Sequence, residues 1–419
     1  METLTQHSEA LARSPQTVDD AACGSASARA SDSRLPSLTL VPGRKLTFAR
    51  PLRDDAPESS PEDWPENWQS GISRLTRWLD VDVAYLPQRP ESGLRKVTAW
   101  AASAASAAKT PGAQGSVAPV FAPWRCWSPV SLQEPGNTPM PRADWIASYL
   151  YDHATGTQSN RGGVDIQLLS PLPESMTSGP EADDPMPRPR VLQAMIQTAQ
   201  AQGRTKIAIV TDVRRRNAMI RQLLHMDRSI TRDASQIEVL LIEDALCKVV
   251  KGQAVKGGHG WDAIIVLPDL RSLMFAMLAQ VHQANGPWPM VWHNRGVAMI
   301  CAEMLNESTG PIPFDGPLLV QTLALAASHA GLSLCAKRLI QGAARLWDCR
   351  IVTPGRGSLA PYVTEISDAE FIEELCKGVA RGQRTSANWR AVAGDVATAN
   401  APKNSKTGGP VQLSVVGAG

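Results

Sequence analysis

Three short apolar runs in the middle of the chain most restrict what it can fold into. They span residues 207–210, 239–242 and 263–267, and each is rich in isoleucine and valine and bounded by charged residues or glycine. Runs of this kind are typical of strands that are buried on both faces of a mostly parallel sheet. A segment with the apolar spacing of a helix follows each run. The alternation of strands and helices predicts an α/β domain with right-handed crossovers.

Composition narrows the class of protein. The chain has 419 residues, enough for two domains, and its 43% apolar and 20% charged content is typical of a soluble globular protein. A net charge of +2 favours neither a nucleic-acid partner nor a membrane surface, and no run of eighteen apolar residues is present. The seven cysteines are scattered without a C-x-x-C pair, which argues against a disulfide framework and indicates a reducing compartment. We therefore expect a cytoplasmic protein, with a mitochondrial location as the alternative.

Local patterns predict further elements and two tails. Residues 1–35 and 381–419 are polar and unpatterned, which predicts a disordered N-terminal tail and a flexible C-terminal tail. The Pro- and Asp-rich segment 170–189 is predicted to be a loop. Ser367 is the expected N-cap of the last helix, with Glu370 in its third position. Helices are predicted over 68–79, 99–108, 191–201, 318–329, 333–347 and 368–379, and flanking strands over 38–41, 81–86 and 164–169.

Six segments carry a family resemblance through their order and spacing. They are VFAPWRCW at 120–127, GVDIQLL at 163–169, RPRVLQAMIQTAQAQGRTKIAIV at 188–210, WDAIIV at 261–266, FDGPLLVQTLALAASHAGL at 314–332 and RIVTPGRGSLAPYVTEISDAEFIEEL at 350–375. Together they resemble the framework of the isocitrate/isopropylmalate dehydrogenases, the metal-dependent β-decarboxylating dehydrogenases. The resemblance implies a three-layer α/β/α fold in two domains. Residues 36–118 and 285–380 would form the first domain, and 119–284 the second, which contains the dimerisation region.

The resemblance also implies a divalent cation and a general base, at positions where this chain has departed from the family. The family's general-base lysine falls on Asp212, and its third metal ligand falls near Glu243, with Asp244 beside it. Oxygen ligands from carboxylates are what Mg²⁺ or Mn²⁺ requires. The family's other two metal-binding aspartates fall on residues without a carboxylate, either Ser272 and Ala276 or, shifted by one, Leu273 and Met277.

Substrate and nucleotide positions are partly kept. Arg125 matches one of the family's carboxylate-binding arginines, whose forked guanidinium suits a carboxylate. The alternative for Arg125 is stacking on Trp124 and Trp127. The loop that binds the nicotinamide nucleotide falls on residues 303–305 without its His-Gly pair, whereas Gly316 and Pro317 keep the start of the helix behind it. NAD(P) and Mg²⁺ or Mn²⁺ are therefore the cofactors to expect if activity is retained.

Several other charged or reactive side chains have a structural interpretation as well as a functional one. Glu243 and Asp244 are expected to cap a helix, and the arginines at 214–216 to form a solvated face. Cys126, next to an arginine, is a candidate for a lowered pKa, although no partner base is visible. His259 and His293 are expected in loops without the spacing of a zinc site.

These patterns lead to one hypothesis of function and two alternatives. The first is a divergent, catalytically impaired member of the family that acts as a structural or regulatory subunit, as a homo- or heterodimer with a related subunit. The second is an active NAD(P)- and Mg²⁺-dependent dehydrogenase that decarboxylates a 2-hydroxy acid such as isopropylmalate or isocitrate, with Asp262 and Asp269 as displaced metal ligands. The third is an interaction protein whose Trp- and Pro-rich middle segment (Trp124, Trp127, Trp145) forms the contact surface.

Overall fold

The computed structural model describes most of the chain between residues 66 and 378, together with short pieces on either side. The described residues are 46–49, 66–81, 83–86, 118–130, 132, 143–152, 164–179, 182–226, 236–254, 260–282, 284, 286–294, 297–305, 310–354, 363–378, 389–393 and 413–415. The strand predicted at 38–41, the helix predicted at 99–108 and the tail predicted at 1–35 lie outside them.

Strands and helices alternate between residues 189 and 282, as the apolar runs predict, whereas several strands follow one another on either side of this stretch. The strands are β1 (Leu46–Ala49), β2 (Val83–Leu86), β3 (Ala118–Trp127), β4 (Trp145–Asp152), β5 (Val164–Pro171), β6 (Met176–Gly179), β7 (Ala182–Pro187), β8 (Lys206–Thr211), β9 (Gln236–Leu241), β10 (Ala263–Val266), β11 (Trp288–Asn294), β12 (Val297–Glu303), β13 (Gly310–Pro311), β14 (Ile351–Val352), β15 (Thr364–Glu365) and β16 (Leu413–Val415). The helices are α1 (Glu66–Leu79), α2 (Pro189–Ala201), α3 (Val213–His225), α4 (Ile242–Val250), α5 (Pro268–His282), α6 (Gly316–His329), α7 (Ser333–Asp348), α8 (Asp368–Lys377) and α9 (Arg390–Ala393).

One large sheet organises the molecule. In the described residues it has ten strands in the order β13-β3-β12-β11-β4-β5-β10-β8-β9-β16. The run from β5 to β16 is parallel, whereas β4 pairs antiparallel with both β5 and β11. Three separate two-stranded pairs, β1-β2, β6-β7 and β14-β15, complete the described strands.

Helices cover both faces of this sheet. Along β8, Ile207 and Ile209 belong to one apolar cluster, with buried residues of α2, α3, α6, α7 and α8. The intervening Ala208 and Val210 belong to a second cluster, with buried residues of α4 and α5. Because successive side chains of a strand point to opposite faces, these clusters lie on the two sides of the sheet. The predicted three-layer α/β/α class is therefore confirmed.

Local signals placed several boundaries correctly. The helices predicted near 68–79, 191–201, 318–329, 333–347 and 368–379 are all present. The hydroxyl of Ser367 accepts a hydrogen bond from the Glu370 amide at 3.3 Å, and the Ser367 amide donates to the Glu370 carboxylate at 2.9 Å, so the expected capping box is formed. The strand predicted over the second apolar run, 239–242, ends one residue earlier, because Leu241 is the N-cap of α4 and Ile242 already belongs to that helix.

Two segments predicted to lack structure are partly ordered. Residues 170–189 contain a 3₁₀ turn (Pro173–Ser175) and the antiparallel pair β6-β7, in which Met176 lies opposite Pro187. The proline content concealed this pair, although proline is compatible with a short edge strand. In the predicted C-terminal tail, Trp389 is fully buried, α9 follows it, and β16 pairs with β9.

The division into two domains stays a prediction. Strands β11 and β12 come from the segment assigned to the first domain, yet they pair with β4 and β3 of the second. A single sheet therefore runs across the predicted boundary. None of the helices in the described residues is both long enough and apolar enough to cross a membrane.

Candidate functional site

The carboxyl ends of three neighbouring strands form the natural place for a site. Strands β10, β8 and β9 are adjacent and parallel, and each leads directly into a helix, α5, α3 and α4 respectively. In open α/β sheets, ligands bind at this edge. Asp212, Glu243 and Asp269 all lie there, at the start of the three helices. The structure thus brings two of the predicted residues and one displaced candidate to the same edge of the sheet.

Asp212 is occupied by structural contacts. It is the N-cap of α3, and its Oδ1 accepts hydrogen bonds from the amides of Arg214 at 2.8 Å and Arg215 at 3.0 Å. Its Oδ2 forms an ion pair with Nε of Arg215 at 2.6 Å. Aspartate is among the preferred N-cap residues, because its carboxylate satisfies amides that have no partner in the first turn. The family's position for a proton-transferring lysine therefore holds a helix cap.

Arg215 links Asp212 to Asp269. Its Nη1 donates to Oδ1 of Asp269 at 3.1 Å, and its Nη2 pairs with Oδ2 of the same carboxylate. Burial lowers the pKa of Arg215, but the hydrogen bonds and charges of Asp269 and Asp212 outweigh it and raise that pKa. Asp269 is thereby held by a guanidinium, which competes with any cation for the same oxygens.

Glu243 and Asp244 lie on the exposed side of the first turn of α4. Negative side chains at this position interact favourably with the positive end of the helix dipole. Across the described residues, no group of three or more His, Cys, Asp or Glu side chains is placed to hold a metal ion. The donor set there does not fit the divalent cation that the resemblance implies.

Asp262 and Asp269 cannot share an ion as displaced ligands. Asp262 immediately precedes β10 and Asp269 follows it, so the two residues lie at opposite ends of this strand. A strand of four residues separates them by about 13 Å. Asp262 also has other partners, since its Oδ2 accepts from the amides of Thr205 at 2.9 Å and Lys206 at 3.0 Å. The arrangement expected for the dehydrogenase alternative is therefore wrong in this respect.

A buried ion pair occupies the interior between α5 and the sheet. Nη2 of Arg271 lies 2.6 Å from Oε2 of Glu303, and Nε of Arg271 donates to Oε1 at 3.2 Å. Arg271 also donates to the hydroxyl of Ser148 at 2.8 Å, and that hydroxyl bonds to Glu303. The side chains of Arg271 and Glu303 are 1% and 0% exposed. Glu303, at the predicted nucleotide-loop position, is thus an internal partner of α5.

Cys126 lies near this carboxylate and is not an activated thiol. Burial, followed by the negative charge of Glu303, raises the pKa of Cys126 to about 12. The lowered pKa considered from the sequence is therefore wrong, because a thiolate would be desolvated beside another anion. The six cysteines within the described ranges are all free thiols.

The Trp-rich segment belongs to the core. Trp124 is 4% exposed and meets the ring of Trp68 edge-on at 6.4 Å, and Trp127 is 1% exposed and lies 5.0 Å from Trp292. Trp145 is buried as well. The interaction surface expected from these indoles is therefore wrong, since their rings fill the interior. Arg125 lies in β3, where its backbone is paired with Pro311 of β13.

Gly316 and Pro317 are the first residues of α6, and they lie next to the first residue of α8. The amide of Gly316 donates to Oδ1 of Asp368 at 2.7 Å, and the Leu318 amide donates to Oδ1 of the N-cap Asp315 at 2.7 Å. A Cβ at Gly316 would lie 2.8 Å from the Asp368 carbonyl oxygen. These amides, which the resemblance places near a nucleotide, are already bonded to carboxylates, so this helix start does not fit an anionic dinucleotide.

The amino ends of these parallel strands carry a polar network that the sequence motifs did not indicate. Arg204 is fully buried and donates to the carbonyl of Asp262 at 2.7 Å and to Oδ1 of Asp165 at 2.8 Å. Oδ2 of Asp165 accepts from the Arg390 amide at 3.0 Å, and the Arg390 guanidinium pairs with Asp262. Trp389 stacks on Tyr151 at 5.2 Å. A tryptophan-arginine pair in an otherwise polar tail was the available signal for this attachment.

Two histidines are packed together at the end of α6. His293 lies in β11, not in a loop as predicted, and stacks on Trp145 with ring centroids 3.7 Å apart. His329, in the last turn of α6, lies 5.8 Å from His293. Burial lowers the pKa of His329 to about 4, and burial followed by the charge of His329 lowers the pKa of His293 well below its ordinary value. His259 lies outside the described residues.

We expect these histidines to make the protein sensitive to acid. Because the folded pKa of His329 lies below the unfolded value, the unfolded state takes up protons first as the pH falls below about 6.5. Stability is therefore complete above that pH and decreases towards pH 4, by roughly 3 kcal/mol from His329. Urea unfolding at pH 7 and pH 4.5 should show a smaller decrease for His329→Gln than for the wild type. His225→Gln, at an exposed helix end, is the control, and equal decreases in all three proteins would contradict the assignment.

Comparisons with known proteins identify similar folds only. No family model matches the chain, and no curated protein sequence is significantly similar to it. Among solved structures, a chain of the Euglena gracilis mitochondrial ATP synthase peripheral stalk matches with a TM-score of 0.50 and 10% identity, over 80% of this chain and 99% of that one. Isocitrate dehydrogenase from Methylococcus capsulatus matches with a TM-score of 0.48 and 14% identity, over 80% and 98%. The TT0538 protein from Thermus thermophilus matches with a TM-score of 0.49 and 12% identity, over 84% and 71%.

Proposed function

We propose that this chain is a divergent, catalytically impaired relative of the isocitrate/isopropylmalate dehydrogenases that serves as a structural subunit of a multi-protein assembly. The observation that carries the proposal is the use of the site's polar groups in internal contacts. Asp212 caps a helix, Asp269 holds Arg215, and Glu303 is buried against Arg271. Each group would have to leave its present partner before it could bind a cation, a substrate or a nucleotide.

One of the similar solved structures agrees with the assembly part of the proposal. The chain that matches at a TM-score of 0.50 is described as belonging to the peripheral stalk of an ATP synthase, and almost its whole length is matched. That chain contributes to a large complex. A similar role for the present protein agrees with a site whose polar groups make structural contacts. The simplest assembly of this kind would be a dimer with a related subunit.

Ligand-dependent thermal unfolding tests the loss of catalysis. A ligand that binds only the folded state raises stability, by about 2.7 kcal/mol at one hundred times its Kd. We expect no rise in Tm with millimolar Mg²⁺ or Mn²⁺ together with NAD⁺ or NADP⁺. A known member of the dehydrogenase family, tested in parallel, is the positive control. A clear rise for the present chain would sink this part of the proposal and favour the active dehydrogenase.

The native size of the protein tests the assembly role separately. The chain, carrying an affinity tag, would be isolated from the cells in which it naturally occurs and separated by size without denaturation. We expect it to migrate in a particle several times larger than its own 45.0 kDa, together with a fixed set of other polypeptides. Migration as a monomer, with no companion chain in constant proportion, would contradict the assembly role even if no ligand is bound.

A further inference from the structure

One face of the antiparallel β11-β12 pair collects sulfur-containing side chains. Met290 of β11 lies directly opposite Cys301 of β12, and two residues along, Trp292 lies opposite Met299. Residues that are opposite in a pair, or two apart on a strand, share a face of the sheet, so all four side chains leave the pair on the same side. Each is at most 2% exposed, and none of them belongs to either of the two apolar clusters described above. The pair therefore carries a separate buried patch of two thioethers, one thiol and one indole.

The three sulfur atoms of this patch are within reach of a single ion. Directly opposite residues such as Met290 and Cys301 have Cβ atoms about 4.5–5.5 Å apart. Met299 and Cys301, two residues apart on β12, are separated by about 7 Å along the strand. The unbranched methionine side chain has three rotatable bonds and can close gaps of this size. Thioether and thiolate sulfurs are soft ligands, and soft ligands select Cu(I) over the harder divalent cations.

A hydrogen bond prepares the thiol of the patch to act as a ligand. Nε1 of Trp292 donates to Sγ of Cys301 at 3.1 Å. A donor directed at sulfur favours the thiolate, which is the form that binds a metal. Outer partners of this kind also orient the ligands of metal sites. The ring of Trp292 is itself held by Trp127, which meets it edge-on with ring centroids 5.0 Å apart.

The charge balance of the patch favours a monovalent ion. Cu(I) takes the place of the thiol proton of Cys301, so the net charge of the interior does not change when the ion binds. A divalent ion would add one buried positive charge, which is costly without an anion to balance it. Glu303, two residues further along β12, does not supply that anion, because it is paired with Arg271.

We propose that Met290, Met299 and Cys301 bind one Cu(I) ion between β11 and β12, with the indole N–H of Trp292 as the donor to the ligating sulfur. The proposal goes beyond the proposed function, since it uses none of the residues at the dehydrogenase-like positions. The bound ion joins the two strands through their side chains. Binding releases one proton from Cys301, so we expect the affinity to increase with pH.

Titration of the full-length chain with Cu(I) tests the site. Exposed thiols bind copper unspecifically, so the titration uses a background in which Cys247, Cys349 and the N-terminal Cys23 are replaced by serine. Under argon, Cu(I) is distributed between the protein and the chromogenic chelator bicinchoninate. We expect one equivalent to be retained per chain, with sulfur ligands in the copper X-ray absorption spectrum. Met290→Leu/Met299→Leu, which removes both thioethers and keeps their bulk, should bind at least tenfold more weakly.

A matched control and a second variant keep the result unambiguous. Met195→Leu/Met274→Leu changes two equally buried methionines of α2 and α5 and should bind as the background does. Cys301→Ser should lose binding even if the methionine variant is poorly folded, and thermal unfolding of each apoprotein reports folding. No retained copper in the background, or equal affinity in the background and in Met290→Leu/Met299→Leu, would overturn the proposal. Copper that is retained only while the exposed cysteines are present would show adventitious binding and would overturn it as well.

Discussion

Replacement of Glu303 by glutamine is expected to lower the free energy of unfolding by about 3–5 kcal/mol, because it leaves the Arg271 charge buried without an anion. Both side chains are at most 1% exposed, and their closest atoms are 2.6 Å apart. The amide of glutamine keeps the volume and one acceptor oxygen, so the loss reports the charge and not a cavity. Urea unfolding followed by circular dichroism at pH 7 measures it.

The double variant Arg271→Met/Glu303→Met distinguishes a structural ion pair from a functional one. Methionine side chains remove both charges and retain bulk, and buried ion pairs replaced by apolar residues often recover the stability lost in the single variants. Glu373→Gln, in the half-exposed pair with Arg74, is the surface control and should change stability little. A Glu303→Gln protein as stable as the wild type would show that Arg271 is neutralised by another group, and the internal role of Glu303 would have to be abandoned.

The frame of the sheet could be predicted because its signals are local. The apolar runs at β8, β9 and β10 and the capping box at Ser367 and Glu370 each depend on residues a few positions apart. The uniformly buried helix α6 is likewise visible as a strongly apolar stretch. Such features are fixed by periodicity and by the backbone donors of a helix end, which the sequence displays directly.

The candidate site could not be predicted to the same extent because its contacts are distant in sequence. Arg271 and Glu303 are separated by 32 positions, and Ser148 is 123 positions from Arg271. In sequence, an arginine in a helix and a glutamate at the end of an apolar run both resemble solvated residues. Only the packing of α5 against the sheet shows that they neutralise each other. The resemblance placed Asp212 at the position of a catalytic lysine and Gly316 at a helix entry, but it could not show that both are bonded to neighbouring groups of this chain.

The C-terminal attachment shows the same limit more strongly. Arg390 bonds to Asp165, which is 225 positions away, and no local pattern in a polar tail predicts such a contact. We expect Trp389→Ala to lower the free energy of unfolding by about 3–5 kcal/mol, since a fully buried tryptophan would leave a large cavity. Its ring contacts Tyr149 edge-on at 5.9 Å and stacks on Tyr151 at 5.2 Å. Urea unfolding of the full-length variant is the measurement.

Trp389→Phe separates ring packing from simple attachment of the tail. The indole N–H of Trp389 is buried and has no hydrogen-bond partner within the described residues. Phenylalanine therefore loses volume but no hydrogen bond, and we expect it to recover more than half of the stability lost in Trp389→Ala. Leu224→Ala, at a side chain that is 65% exposed, is the surface control. If Trp389→Ala unfolds at the same urea concentration as the wild type, the segment after residue 388 does not contribute to the core.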